Sequence, residues 1–225
     1  ATGEQVTIAL LSMALIERGI PARSLLGLQA KIETEGKHTN AHISGIESDA
    51  VREVLEQGMV PVVAGFQGVD HDGNVTTLGR GGSDITAVAL AAALRAKACY
   101  IYTDVTGVFS TDPRLCPRAS LLARVCHEEM LEMASLGAKV LHPRSVYFAM
   151  RYEVPLAVLS TFTAVEDLVE SEEPRPLMQA GRNGTWVVRE EELMEKPVVT
   201  GITYRLDEAK LTVSKLPKGI HSLSG

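Results

Sequence analysis

At 225 residues and 24.2 kDa, the chain is long enough for one well-cored domain, or one domain with part of another. A hydrophobic fraction of 45%, a charged fraction of 22% and only 4% aromatics describe a globular chain whose core is built from Ala, Val, Leu and Ile. The net charge of −6 comes without a Lys/Arg cluster, which argues against a nucleic-acid surface, and no apolar run approaches the ~20 residues that cross a bilayer.

The chain opens on Ala1-Thr2-Gly3-Glu4-Gln5, with neither an initiator Met nor a basic-then-apolar leader, so a fragment beginning inside a domain is expected. Val6, Leu10, Met13 and Leu15/Ile16 have the spacing of an amphipathic helix over Glu4–Arg18, stopped by Gly19 and Pro21. Residues 28–45 are polar, with Gly36 and Asn40, and are expected as a long surface loop holding a short strand. A helix over Asp49–Gln57 and a buried strand over Val60–Phe66 follow, then a hairpin turn at Asp72-Gly73 between Val69 and Val75. Gly79-Arg80-Gly81-Gly82-Ser83-Asp84 opens a helix of small residues, Ile85–Leu94. A strand over Ala98–Val105 leads into a loop carrying Asp112-Pro113-Arg114 and Cys116-Pro117.

Helices over His127–Leu136 and Pro143–Tyr152 precede a strand at Leu156–Ser160. Strands alternating with helices predict an α/β fold with a largely parallel sheet. Composition changes after Phe162: Glu170–Asn183 is acidic and rich in Pro and Gly, the character of a linker or insertion. Val198–Thr203 and Lys210–Ser214 are expected as two strands opening a small second domain that stops short at Ser222-Leu223-Ser224-Gly225. Cys99, Cys116 and Cys126 form no CxxC pair and suit reduced thiols in a cytoplasmic protein.

Three segments carry chemistry. In Gly79–Asp84 the glycines let an anion approach the backbone, the following helix N-terminus offers free N–H groups, and Arg80 adds a fork suited to carboxylate or phosphate. A plain helix cap by Ser83 or Asp84 explains the same spacing. No Lys-Ser/Thr follows the glycines, so this is not a Walker A loop. Thr103-Asp104 closes a strand and precedes Phe109-Ser110-Thr111-Asp112-Pro113-Arg114, a position where open parallel sheets bind ligands; a polar loop with a Pro turn is the alternative. Lys139, past a helix end, is placed either to meet a phosphate or to sit solvated at a helix C-terminus. His38 and His42 lack a helical context and are expected as surface histidines, and His142 as a structural residue at a helix-to-helix turn.

Taken together, TGEQ, AGFQG, TTLGRGGSDITAVALA, IYTDVTGVFSTDPR and the run Met133–Val146 resemble, in order and spacing, the aspartate kinases of the amino-acid kinase family. The resemblance runs continuously over about residues 1–162 and resumes weakly at 198–214, where the chain is similar to the start of an ACT domain. It implies a three-layer αβα sandwich over 1–163, a linker or insertion at 164–197 and the truncated start of an α+β regulatory domain at 198–225. The implied reaction is ATP-dependent phosphorylation of the L-aspartate β-carboxylate to 4-phospho-L-aspartate, which opens the route to Lys, Thr, Met and Ile. A non-catalytic nucleotide-binding or regulatory fragment, or another amino-acid kinase, is the alternative.

The same resemblance assigns roles. Glu4 matches the glutamate that meets the aspartate amino group, and Phe66 lines the pocket. Arg80, beside Gly81 and Gly82, matches the arginine gripping an aspartate carboxylate, with Ser83 where substrate and phosphate sites meet. Asp84 matches a carboxylate that orients a catalytic lysine. Thr103, Asp104, Phe109, Ser110, Thr111, Asp112, Pro113, Arg114, Lys139 and Val140 match the ATP site. Mg²⁺ is implied with the nucleotide, without a named protein ligand. The family's Lys-x-Gly-Gly loop and Ser/Thr-rich segment are not among these residues, so the chain alone is expected to be nearly inactive. ACT domains imply a dimer or higher oligomer and feedback by lysine or threonine; a fusion to homoserine dehydrogenase is compatible with the truncation.

Overall fold

The computed structural model describes residues 1–162, 184–193 and 199–204. Its first layer is α1 (Thr2–Glu17), whose Ile8 and Leu15 pack with Val62, Ala64, Ala22 and Leu26. These partners belong to a parallel pair, β1 (Ala22–Leu25) and β4 (Val60–Val63), and to the residues just after each strand. The opposite face of that pair, with Leu25 and Val63, is covered by Val51 and Val54 of α2 (Asp49–Glu56) and by Leu90 and Leu94 of α3 (Gly82–Leu94). Helix, sheet and helix thus stack as three layers, as expected for an αβα sandwich.

Residues 28–45, expected as a loop with a short strand, instead form most of a hairpin of β2 (Ile32–Lys37) and β3 (Asn40–Ile46). Their outward residues are polar because that face meets solvent, while Ile32 and Ala41 are fully buried on the other side. β2 continues, parallel, to β5 (Gln67–Val69), which turns at Asp70–Asn74 into β6 (Val75–Thr77). Asp70 builds that turn, since its Oδ1 accepts from the amides of Asp72 and Asn74 at 3.0 and 2.8 Å.

The largest apolar cluster lies under a mixed four-stranded sheet in the order β7 (Cys99–Thr103), β9 (Leu156–Ser160), β10 (Gly184–Val188), β8 (Arg124–Cys126). β7 and β9 are parallel, as are β10 and β8, and β9 and β10 run antiparallel. β10 lies within the 164–197 stretch expected as linker, yet all of its residues are buried in the sheet. Its Trp186 meets Tyr100 edge-on across the second face, with ring centroids 5.7 Å apart. The expected acidic segment Glu170–Asn183 and the strand at Lys210–Ser214 lie outside the described residues. Val199–Tyr204 adopts no regular strand.

One face of this sheet is covered by α3, α4 (His127–Ser135) and α5 (Pro143–Arg151). His127, the first residue of α4, is 2% exposed, and its Nε2–H donates to the Val154 carbonyl at 3.1 Å. Burial holds its pKa below the ordinary 6.5. Around that pH the folded chain therefore binds fewer protons than the unfolded one, so stability is complete above 6.5 and drains away as pH falls through the depressed folded value. The melting temperature is expected to fall between about pH 7.5 and about pH 5.5, and His127→Gln, which keeps a donor but cannot titrate, is expected to flatten that slope.

Candidate active site

The GRGGSD segment is built by backbone geometry before any side chain acts. Gly79 and Gly81 take positive φ of 75° and 72°, which turns the chain from β6 into α3 with Gly81 as N-cap. The amides of Ser83 and Asp84 are left at the open end of a thirteen-residue helix, the positive end of its dipole. Opposite lies the turn after β4, where Phe66 is itself left-handed at φ +66°. Thr86 Oγ1 accepts from the Phe66 amide at 3.1 Å and donates to the Gly82 carbonyl at 2.9 Å, and Leu78 N–H donates to the Phe66 carbonyl at 3.0 Å. These bonds hold the strained residue in place.

The two turns nearly touch. A β-carbon on Gly65 would lie 3.3 Å from Ser83 Cα, and one on Gly82 would lie 2.7 Å from the Phe66 ring. Glu4, Gly65, Ser83 and Thr86 share the wall of a cleft of about 390 Å³ whose floor is apolar, from Val51, Val63, Leu90 and Leu94. Glu4, Phe66, Gly82 and Ser83, named from distant parts of the sequence, are thereby gathered in one place.

Arg80 and Asp84 stand on the other side of that turn, beside His142, the N-cap of α5. Arg80 is exposed, and no carboxylate pairs with it among the described residues. Burial raises the Asp84 carboxyl above the usual Asp value against the pull of His142. Asp84 also helps burial push the Cys99 thiol of β7 up to about 11, which puts the first turn of α3 over that strand. His142 is held below the ordinary His value, first by burial and then by Arg144 and Arg80. A half-buried carboxylate with no donor among the described residues is suited to a cation, and the exposed Arg80 guanidinium on the same turn to an anion.

Sequence reasoning missed what holds this turn. A β-carbon on Gly81 would lie 2.4 Å from His142 Cβ, so α5 is seated directly on the glycine loop. Arg144, in the first turn of α5, donates to the Leu78 carbonyl at 2.8 Å, the Ala41 carbonyl at 3.3 Å and Asn40 Oδ1 at 3.4 Å, with His42 Nδ1 3.2 Å away. One guanidinium thus ties α5, the β2–β3 hairpin and the residue before Gly79 together. The Arg144-containing run was visible in the sequence, but its partners lie 66 to 104 residues upstream, where no local signal points.

The second cluster begins at the carboxyl end of β7. Thr103 Oγ1 donates to Asp104 Oδ1 at 3.1 Å, and the Thr161 amide donates to the Thr103 carbonyl at 2.8 Å. Phe109 bridges Leu121, and the Ser110 amide donates to the Ser120 carbonyl at 2.8 Å, which folds the loop back on itself. Arg114 closes on Asp112 through Nε and Nη2 at 3.1 and 2.9 Å, and this pairing draws the Asp112 carboxyl below its ordinary range. Lys139 and Val140 lie in the α4–α5 connection that ends at His142, with Lys139 exposed. Lys139 is thus an exposed ammonium three residues before His142, whereas Arg114 is paired within its own loop.

The sequence pattern of the amino acid kinase family matches residues 1–160. The chain belongs to this family. It is 55% identical over 217 residues to an aspartokinase of Pseudomonas aeruginosa, a match covering 96% of this chain and 49% of that protein. Among solved structures of the family, aspartate kinase from Synechocystis superposes with a TM-score of 0.64 at 51% identity, over 84% of this chain and 28% of that one. E. coli aspartokinase III in complex with aspartate and ADP also superposes at 0.64, with 34% identity over 83% of this chain and 39% of that one. The chain spans about half the length of the curated relatives it matches. The amino acid kinase fold expected from the sequence is the fold observed.

Proposed function

We propose that this chain carries the catalytic centre of an aspartate kinase, which transfers the γ-phosphate of ATP to the β-carboxylate of L-aspartate. The observation that carries the reading is the α3 N-terminus: open helix amides, an Arg80 with no carboxylate partner among the described residues and a half-buried Asp84 share one turn, whose other side, at Ser83, shares a cleft with Glu4. The likeness to E. coli aspartokinase III, solved with aspartate and ADP, supports it. In this reading Glu4 takes the amino group, Arg80 a carboxylate, and Ser83 stands at the junction with the transferring phosphoryl group. Thr103, Asp104, Phe109–Arg114 and the Lys139-Val140 pair hold the nucleotide, and Asp84 orients an ammonium at the γ-phosphate.

The acceptor carboxylate is already ionised near neutrality, so attack on the γ-phosphorus needs no general base. A new O–P bond forms as the β,γ-bridging O–P bond breaks, and ADP departs with those electrons. Catalysis then rests on alignment and on cations that offset two approaching anions. Arg80 and Lys139 are free to do so among the described residues, and Arg114 must exchange Asp112 for phosphate. Mg²⁺ enters as the nucleotide's counter-ion; among the described residues no cluster of His, Cys, Asp or Glu is placed to hold a metal.

The 198–225 stretch, in the same proposal, begins a regulatory domain through which the intact polypeptide forms a homo-oligomer and answers to lysine or threonine. A cytoplasmic setting agrees with three free thiols. The test is trapping by hydroxylamine in a polypeptide that contains this domain, because 4-phospho-L-aspartate yields a coloured hydroxamate. Aspartate-dependent ADP release with hydroxamate is the expected result. Turnover with glutamate, carbamate or UMP in place of aspartate would sink the substrate assignment, and nucleotide binding without turnover would favour a regulatory chain.

A further inference from the structure

Residues 199–204 follow the catalytic body in sequence but are fastened to the loop proposed to hold the nucleotide. Thr200 Oγ1 donates to Glu129 Oε1 of α4 at 2.6 Å. The Ile202 amide donates to the Ser110 carbonyl at 2.7 Å. The Tyr204 hydroxyl donates to Asp112 Oδ2 at 3.4 Å, the same oxygen that Arg114 Nη2 grips at 2.9 Å. Gly201 lies between, so close that a β-carbon there would sit 2.9 Å from Met133 Cε and 3.2 Å from the Ser110 carbonyl oxygen.

We infer that Thr200, Gly201, Ile202 and Tyr204 are positioning residues for nucleotide binding: a strap that pins the Ser110–Asp112 limb of the loop. The inference rests on the nucleotide reading of Thr103–Arg114. Beyond Ser110 the loop is braced mainly by itself, through Arg114 on Asp112 and the amides of Leu115 and Cys116 on the Asp112 carbonyl. A limb braced only by short-range bonds must be ordered when a phosphate arrives, and a strap already holding it removes part of that cost. Tyr204 has a second effect. Once Arg114 leaves Asp112 for a phosphate, the hydroxyl stays on the abandoned carboxylate and lessens the loss. Nucleotide affinity is thereby written partly in residues outside the loop, whereas the Glu4–Arg80 side touches none of them.

The experiment titrates the 225-residue chain with mant-ADP in the presence of Mg²⁺ and, separately, with L-aspartate by calorimetry. Thr200→Val and Tyr204→Phe are each expected to weaken mant-ADP roughly threefold and together about tenfold, with Thr200→Ser restoring the parent value. Gly201→Val, which displaces the strap sterically, is expected to match the double variant. Aspartate affinity and melting temperature stay at the parent values. Equal mant-ADP affinity in parent and variants overturns the inference, as does a parallel weakening of both ligands, the mark of a merely structural contact. A parent chain that binds aspartate but not mant-ADP removes the nucleotide reading of the loop, and the strap's role with it.

Discussion

Arg80→Ala is expected to lower kcat/KM for aspartate by about 10²–10³, measured as aspartate-dependent ADP release in a polypeptide containing this domain. The magnitude follows from the position of the guanidinium. It stands exposed beside the α3 N-terminus without an ion-pair partner among the described residues, so its whole capacity is available to a ligand. In the proposed reading, removing it would leave the aspartate carboxylate next to a second approaching anion with one cation fewer. Arg80→Lys keeps the charge and loses the fork, and is expected to recover only part of the rate. Because Arg80 makes no ion pair among the described residues, the melting temperature is expected to stay at the parent value. Activity within about twofold of the parent would remove Arg80 from the substrate site.

Gly81→Ala is expected to destabilise the fold by about 2–4 kcal/mol, read from the urea midpoint at unchanged slope. Two costs add. A left-handed φ of 72° costs a non-glycine residue about 1 kcal/mol. The new methyl would also meet His142 Cβ at 2.4 Å and Cγ at 2.5 Å, and relieving such overpacking typically costs about 1–3 kcal/mol. His142 cannot simply retreat, because Arg144 two residues on is bonded to the Leu78 and Ala41 carbonyls. Gly73→Ala isolates the first cost: φ is +83° there, but nothing lies within 4 Å of the added carbon. That variant should lose only about 1 kcal/mol. Equal losses at the two positions would mean that α5 yields, and that the glycine loop is less firmly seated than the contact implies.

Much of this arrangement was legible in the sequence because it is local. The β9 strand is a continuous apolar run, α3 announces itself by glycines before small helix formers, and Asp72-Gly73 marks a hairpin that Asp70 then builds. Glu4, Phe66 and Ser83 needed the family resemblance to be named, since nothing in their spacing says that Glu4 and Ser83 share a cleft or that Phe66 packs on the glycine turn beside it. The misses share a cause. The β2–β3 hairpin is polar on its solvent face, so alternation with Ile32 and Ala41 was diluted below the level of a strand signal. β1 and β8 are short and pair only with distant strands. β10 follows an acidic tract whose composition masked five buried residues. Arg144 and the 199–204 contacts depend on partners far along the chain, and long-range hydrogen bonds leave no periodicity to find.

The side chains of α3 have a mechanical consequence. Ala87, Ala91 and Ala92 face the cluster beneath β7 and β9, while Leu90 and Leu94 face the cluster beneath β1 and β4. Alanine has no rotamers, so much of this helix meets its neighbours without the slack that longer side chains use to absorb small displacements. A shift of either sheet is passed along the axis rather than damped within the packing. Its N-terminal end is the turn bearing Arg80 and Asp84, which α5 clamps through His142 against Gly81, so α3 is a stiff strut whose loaded end registers the alignment of both sheets.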